Sequence, residues 1–121
     1  MPEALQIALV TDIHNGKESL TKKGGMALPL LQRFGEFVDE AGPDLVLDLG
    51  DRITDVDRDT DRAALAEVAG VFERMRAPRV HLLGNHDCAF MSIEDNAELL
   101  GQGLGSSSLD LKGWHLVFWQ A

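Results

Sequence analysis

Three short apolar segments, each breaking off into a cluster of chemically active polar residues, constrain this chain more than any other feature of its sequence. Leu5 to Val10 gives way to Thr11, Asp12, His14, Asn15 and Gly16; Asp44 to Leu49 ends in Gly50-Asp51-Arg52; Arg79 to Leu83 runs into Gly84-Asn85-His86-Asp87. Short apolar runs bounded by polar residues and glycine read as strands ending in loops. The stretches between them have helical spacing. From Met26 the apolar residues Leu30, Leu31, Phe34, Phe37, Val38 and Ala41 recur on one face, and Gly42-Pro43 supplies the stop. A second helix, capped by Asp59 or Thr60, buries Leu65, Val68, Phe72 and Met75 before Pro78 resets the chain.

The remainder continues the alternation and then changes it. Ser92 with Asp95 three positions later resembles a capping box, opening a helix through Leu100. Gly101 to Ser108, with three glycines and three serines, is a flexible link, and Ser107 to Leu111 and Trp114 to Trp119 read as two strands joined at Lys112-Gly113. The order βαβαβ(α)ββ places the chain in the α/β class, with parallel pairing first and an antiparallel hairpin last.

At 121 residues the expectation is one domain over 1–121. A net charge of -9 opposes general nucleic-acid binding. The single cysteine, Cys88, excludes an intrachain disulfide and a four-cysteine zinc site, and fits a reducing, cytoplasmic location. Met1-Pro2-Glu3 lacks the basic start and apolar stretch of a signal peptide, and no apolar run approaches the ~20 residues of a membrane span, so no membrane partner is expected.

Open α/β sheets bind ligands at the carboxyl ends of their strands, where all three polar clusters lie. Residues two apart in an extended segment point the same way, so Asp12 and His14 can share one cation. Carboxylate, imidazole and amide oxygen suit borderline and hard divalent ions such as manganese, iron or zinc. Glycine before Asp51 and before Asn85 lets the backbone turn sharply so that the next side chain faces a cation. A carboxylate such as Asp51 can bridge two ions roughly 3.5–4 Å apart.

Asp12-Ile13-His14, Gly50-Asp51 and Gly84-Asn85-His86-Asp87, in this order, resemble the first three motifs of the calcineurin-like metallophosphoesterases, a likeness covering residues 5 to 119. The resemblance implies the N-terminal part of a two-sheet αββα sandwich. It also implies that Asp12 and His14 hold a first metal, Asp51 bridges, Asn85 holds the second and His86 is the catalytic residue facing the leaving group. The cofactor would be two divalent ions, manganese foremost, with iron, zinc or nickel as alternatives. The reaction would be hydrolysis of a small-molecule phosphoester: a hydroxide held between the ions attacks phosphorus while His86 protonates the departing oxygen. Phosphomonoesters, phosphodiesters and nucleotide pyrophosphates stay open.

Family members continue with a further histidine and a Gly-His-x-His motif that complete both metal shells, and neither is among these residues. The resemblance therefore implies a domain incomplete at its C-terminal side, finished by a homodimer partner or a missing segment across the last strand. The alternative is a truncated or inactive domain that acts as a weak metal binder or self-associating module.

Other residues have plainer expectations. Arg52 either contacts substrate phosphate or pairs with nearby carboxylates. Asp87 orients His86 or a neighbouring loop through hydrogen bonds. His115 is a strand residue, Cys88 a small filler, and Phe34, Phe37, Phe72 and Met75 are core. The acidic run Asp48, Asp51, Asp55, Asp57, Asp59 and Asp61 is not an EF-hand, since counting from Asp55 puts Thr60 at position six and Ala66 at position twelve. It reads as a solvated helix start.

Overall fold

A computed structural model of the protein describes residues 3–18 and 23–120. Its elements are β1 (Ile7–Val10), α1 (Ala27–Ala41), β2 (Leu45–Asp48), α2 (Arg58–Glu73), β3 (Arg79–His81), α3 (Ile93–Leu100), β4 (Ser107–Leu111) and β5 (Trp114–Phe118), with short 3-10 turns at Gly24–Met26 and His86–Cys88. β1, β2 and β3 form a parallel sheet in that order, with Ile7 opposite Leu45 and Val46 opposite Arg79. β4 and β5 form an antiparallel hairpin, as the sequence order requires.

The core has two parts joined by α2. Leu31 and Val38 of α1 meet Val68, Val71 and Phe72 of α2 over Val46 of β2, with Ala8 and Val10 of β1 beside them. The opposite flank of α2, with Ala64, Leu65 and Ala69, packs with Ile53, Met91 and Leu100. Gly35 lies where the two helices approach, 3.4 Å from Met75 when a Cβ is built on it. The buried line of α1 is therefore Ala27, Leu31, Gly35 and Val38. The expectation that Phe37 is core is corrected: Phe37 is 58% and Leu30 63% exposed. β1 is an edge strand of the three-stranded sheet. α1 ends at Gly42, whose φ of 60° allows its N–H to reach the Val38 carbonyl at 2.9 Å.

The cap of α2 is Asp57, not Asp59 or Thr60. Asp57 is extended, as a capping residue must be, and its Oδ1 accepts the Thr60 N–H at 2.8 Å. The solvated reading of the acidic run is corrected as well. Asp48 and Asp61 are buried, and Asp55 is half-buried. The Asp61 Oδ1 accepts the Val56 N–H at 2.9 Å while its other oxygen is buried without a hydrogen-bond partner. Burial pushes the Asp61 carboxyl up from its ordinary value. A carboxyl raised in the folded state favours folding fully below its unfolded pKa of about 3.9 and loses that contribution as pH rises through the folded value. Asp61→Asn keeps an acceptor for Val56 and is expected to raise Tm by a few degrees at pH 7 and not at pH 3, read from circular-dichroism melts at both.

α3 opens on the expected capping box, with Asp95 Oδ2 accepting the Ser92 N–H at 3.1 Å and Ser92 Oγ accepting the Asp95 N–H at 3.0 Å. Arg58 also grips Asp95, which fastens α3 to α2 and holds that carboxyl well below the usual range.

Pairing with β2 continues one residue past β3, the Leu82 N–H donating to the Asp48 carbonyl at 2.8 Å, while the far edge of the strand is bonded by side chains. Gln120 accepts the Leu83 N–H at 2.6 Å and donates back to the Leu83 carbonyl at 3.1 Å. The hairpin is tied at its other end by the Trp114 indole, which donates to the Glu3 carbonyl at 2.8 Å, and by Lys112 beside Asp44 at 2.9 Å. Its turn uses positive φ at Lys112 and Gly113, the conformation a two-residue hairpin loop needs. No helix among the described residues is long and apolar enough to cross a membrane.

Candidate metal centre

The pairing of β1 with β2 does not stop where the strands do. The Asp12 N–H donates to the Gly50 carbonyl at 3.0 Å, His14 to Asp51 at 3.1 Å and Asn15 to Arg52 at 2.9 Å, and Thr54 returns a bond to Asn15 at 2.9 Å. To stay in step the two loops bend through left-handed backbone: φ is 56° at Asp12, 49° at His14 and 56° at Asp51. Such conformations cost roughly 1 kcal/mol or more each outside glycine and mark sites held by their surroundings.

Those three residues converge. One ligand atom from each of Asp12, His14 and Asp51 lies within 4.8 Å of the others, and they are the one such trio of His, Cys, Asp or Glu among the described residues. Metal–ligand bonds of about 2.0–2.2 Å let a single ion span that trio after small side-chain rotations. Asp12 and His14 turn toward a common point through two left-handed residues, which corrects the extended-segment route. His14 Nε2 lies 3.4 Å from Asp12 Oδ1, and its Nδ1 is buried with no hydrogen-bond partner. Nε2 is thus the ring nitrogen on the side of Asp12, and an imidazole nitrogen beside a carboxylate is a common metal ligand pair.

The third loop closes on the same point. The His86 N–H donates to Asp51 Oδ1 at 3.0 Å, and the His86 ring stands edge-to-face on His14 with centroids 5.1 Å apart. Asn85, between Gly84 and His86, is exposed and right-handed at φ -67°, so the left-handed turn that an Asn-His pair often adopts is absent. Both glycines let the loops touch. A Cβ on Gly50, which also turns the chain at φ 100°, would collide with the Gly84 backbone, and one on Gly84 would lie 2.6 Å from Asp51 N and collide with its Oδ1.

Behind the trio sits a buried charge network. Asp87 accepts three amides, from Asp51 at 2.8 Å, Arg52 at 2.9 Å and Gly84 at 2.8 Å. It thereby fastens one loop to the other and makes no bond to the His86 ring. Arg52 is fully buried, so the substrate-contact expectation is corrected in favour of carboxylate pairing: NH1 donates to Asp48 Oδ2 at 2.7 Å and NH2 lies 3.4 Å from Asp87 Oδ2. Asp48 also meets His81 Nδ1 at 2.8 Å. Burial pushes the Asp48 carboxyl up, but the His81 hydrogen bond and the Arg52 charge more than reverse it, leaving it below its ordinary value.

Sequence reasoning missed two members. Asp55 holds His86 Nδ1 in a short hydrogen bond, and His81 braces Asp48. Six aspartates of identical type between 48 and 61 hid the first; an imidazole inside an apolar strand was the overlooked signal for the second. His115 stays on β5, exposed, with Asp110 Oδ1 at 2.6 Å from its Nδ1. Cys88 is exposed rather than a filler, and partial burial of its thiol with the Asp87 charge pushes its pKa up, which keeps it a poor nucleophile.

A parallel α/β layer with carboxylate and imidazole donors gathered at its strand ends is the frame of a metal-binding α/β protein. The chain matches the model of the calcineurin-like phosphoesterase family over residues 5–115 and belongs to that family. No curated protein matches it. Among solved structures it is similar to a dimetal phosphatase from Danio rerio, with a TM-score of 0.66 and 20% identity over 81% of this chain. This chain spans 34% of that phosphatase, and the likeness is one of fold.

Proposed function

We propose that the chain is the metal-binding N-terminal part of a phosphoester hydrolase, with Asp12, His14 and Asp51 holding one divalent ion and Asp51 with Asn85 contributing to a second. The observation that carries this reading is the convergence of Asp12, His14 and Asp51 within 4.8 Å. Divalent ions bound there, manganese above all, would make water a nucleophile near neutral pH and neutralise phosphoryl charge.

The chain's own residues supply the rest. The Asp51 carboxylate lies beside Asp12 and His14 and accepts the His86 N–H of the third loop, the position from which it would serve two ions. Asp55 accepts from His86 Nδ1–H, which orients the ring; with a second proton on Nε2 the imidazolium would pass that proton to the departing oxygen and keep the one on Nδ1. His81 and His115 are engaged with Asp48 and Asp110, so the ligands that complete both shells come, on this reading, from a following segment or a second copy. The net charge of -9 opposes a large polyanion such as nucleic acid as substrate, and the lone cysteine fits a cytoplasmic setting.

The test is hydrolysis of bis(p-nitrophenyl) phosphate and of an alkyl phosphodiester, with manganese added, beside direct manganese binding. Manganese-dependent turnover supports the full reading. Binding without turnover would leave a metal-binding module whose chemistry needs further residues. His86→Ala is expected to keep manganese affinity and to slow the alkyl ester by about 100-fold, with a smaller loss for nitrophenyl release. Equal losses for the two leaving groups would remove the proton-donor role.

A further inference from the structure

Arg52 is an unusual residue to find without any exposure immediately after a metal-ligand candidate. NH1 is used twice, donating to Asp48 Oδ2 at 2.7 Å and to the Leu82 carbonyl at 2.7 Å. Nε is buried with no hydrogen-bond partner, and NH2 has only the ion pair with Asp87 at 3.4 Å. A buried ion pair of this kind is a poor source of stability, since apolar replacements of similar volume are often neutral or stabilising. Stability alone does not explain it.

Geometry does. The guanidinium is the shared counter-ion of Asp48 at the end of β2 and Asp87 in the third loop, and its rigid planar fork meets the two carboxylates in a fixed geometry that a flexible ammonium does not impose. Asp87, held in this way, grips the amides of Asp51, Arg52 and Gly84, the backbone that carries Asp51 and leads into Asn85 and His86. Groups that only support a ligand commonly change metal affinity by 10–100-fold.

We infer that Arg52 is a positioning residue for the metal centre: through Asp87 it fixes the spacing between the loop of Asp51 and the loop of Asn85 and His86, and so sets metal affinity. This rests on the proposed metal-binding reading of the same site.

The test compares wild type with Arg52→Met and with the double variant Asp48→Asn plus Arg52→Met. The single variant leaves two buried carboxylates without their cation and risks failing to fold. The double variant removes one charge of each sign, so the net charge of the Asp48, Arg52 and Asp87 group stays at -1, as in the native chain. Two quantities are read on the folded double variant: manganese affinity, from free-ion electron paramagnetic resonance, and amide hydrogen exchange at Asp51, Arg52 and Gly84 against the β1–β2 ladder.

The expected result is a 10–100-fold weaker manganese affinity, with faster exchange at those three amides and an unchanged ladder. Exchange that rises everywhere alike, or stays unchanged at the three amides, overturns the inference. So does native affinity in the folded variant. If wild type itself binds no manganese, the metal reading fails and takes the affinity claim with it, while the exchange data still decide whether Arg52 positions the loops.

Discussion

Gly84→Ala is expected to abolish manganese binding while destabilising the fold by about 1–3 kcal/mol, the usual range for forcing a methyl into a packed contact. The added Cβ meets Asp51 at its backbone nitrogen, 2.6 Å away, and at Oδ1, so the loop of Asn85 and His86 must withdraw from the loop of Asp51. Withdrawal also breaks the Gly84 amide's bond to Asp87. Gly70→Ala is the control. Gly70 is in α2 with nothing within 4 Å of a built Cβ, and alanine there is expected to stabilise by roughly 0.5–1 kcal/mol. Chemical denaturation and manganese titration of both variants check the pair. Native affinity in Gly84→Ala would mean that contact between the loops is not what builds the site.

Asp51→Asn separates charge from shape. The carboxamide keeps an oxygen for the His86 N–H, which donates to Asp51 Oδ1 at 3.0 Å, so the loops should hold and Tm should change little. What disappears is one of the two carboxylate charges of the Asp12, His14 and Asp51 trio. Manganese affinity is expected to fall more than about 100-fold, beyond the loss typical of a merely supporting group. Any manganese-dependent hydrolysis should vanish with it. Calorimetric titration beside a thermal melt reads both; a variant that binds manganese like wild type would refute the role of Asp51.

The sequence made the architecture legible because short strands, helical stripes and breakers agreed at each step. Leu65, Val68 and Phe72 are buried as their spacing requires, and Ser92 with Asp95 closes the expected box. Phe37 misled because periodicity reports which face is apolar, not whether a neighbour covers it. The three ligand clusters were visible as strand-end residues, since their position follows from strand order alone. The inner network was not. Whether Arg52 turns outward to an anion or inward to Asp48 and Asp87 depends on contacts between segments some 35 residues apart. Likewise, choosing Asp55 from its acidic neighbours as the partner of His86 requires knowing how the third loop folds back.

The continuous pairing of β1 and β2 through Asn15 and Ile53 makes the centre an extension of the sheet rather than an ornament on it. Sliding one strand by a single residue would reverse which side chains face inward, and would set Ile13 or Asn15 where His14 belongs. A metal ion held by the proposed trio would therefore bind tightly only to chains whose strands are correctly aligned. In a mixed population such binding would draw chains toward the aligned form, and the ion would act as a proofreader of the sheet.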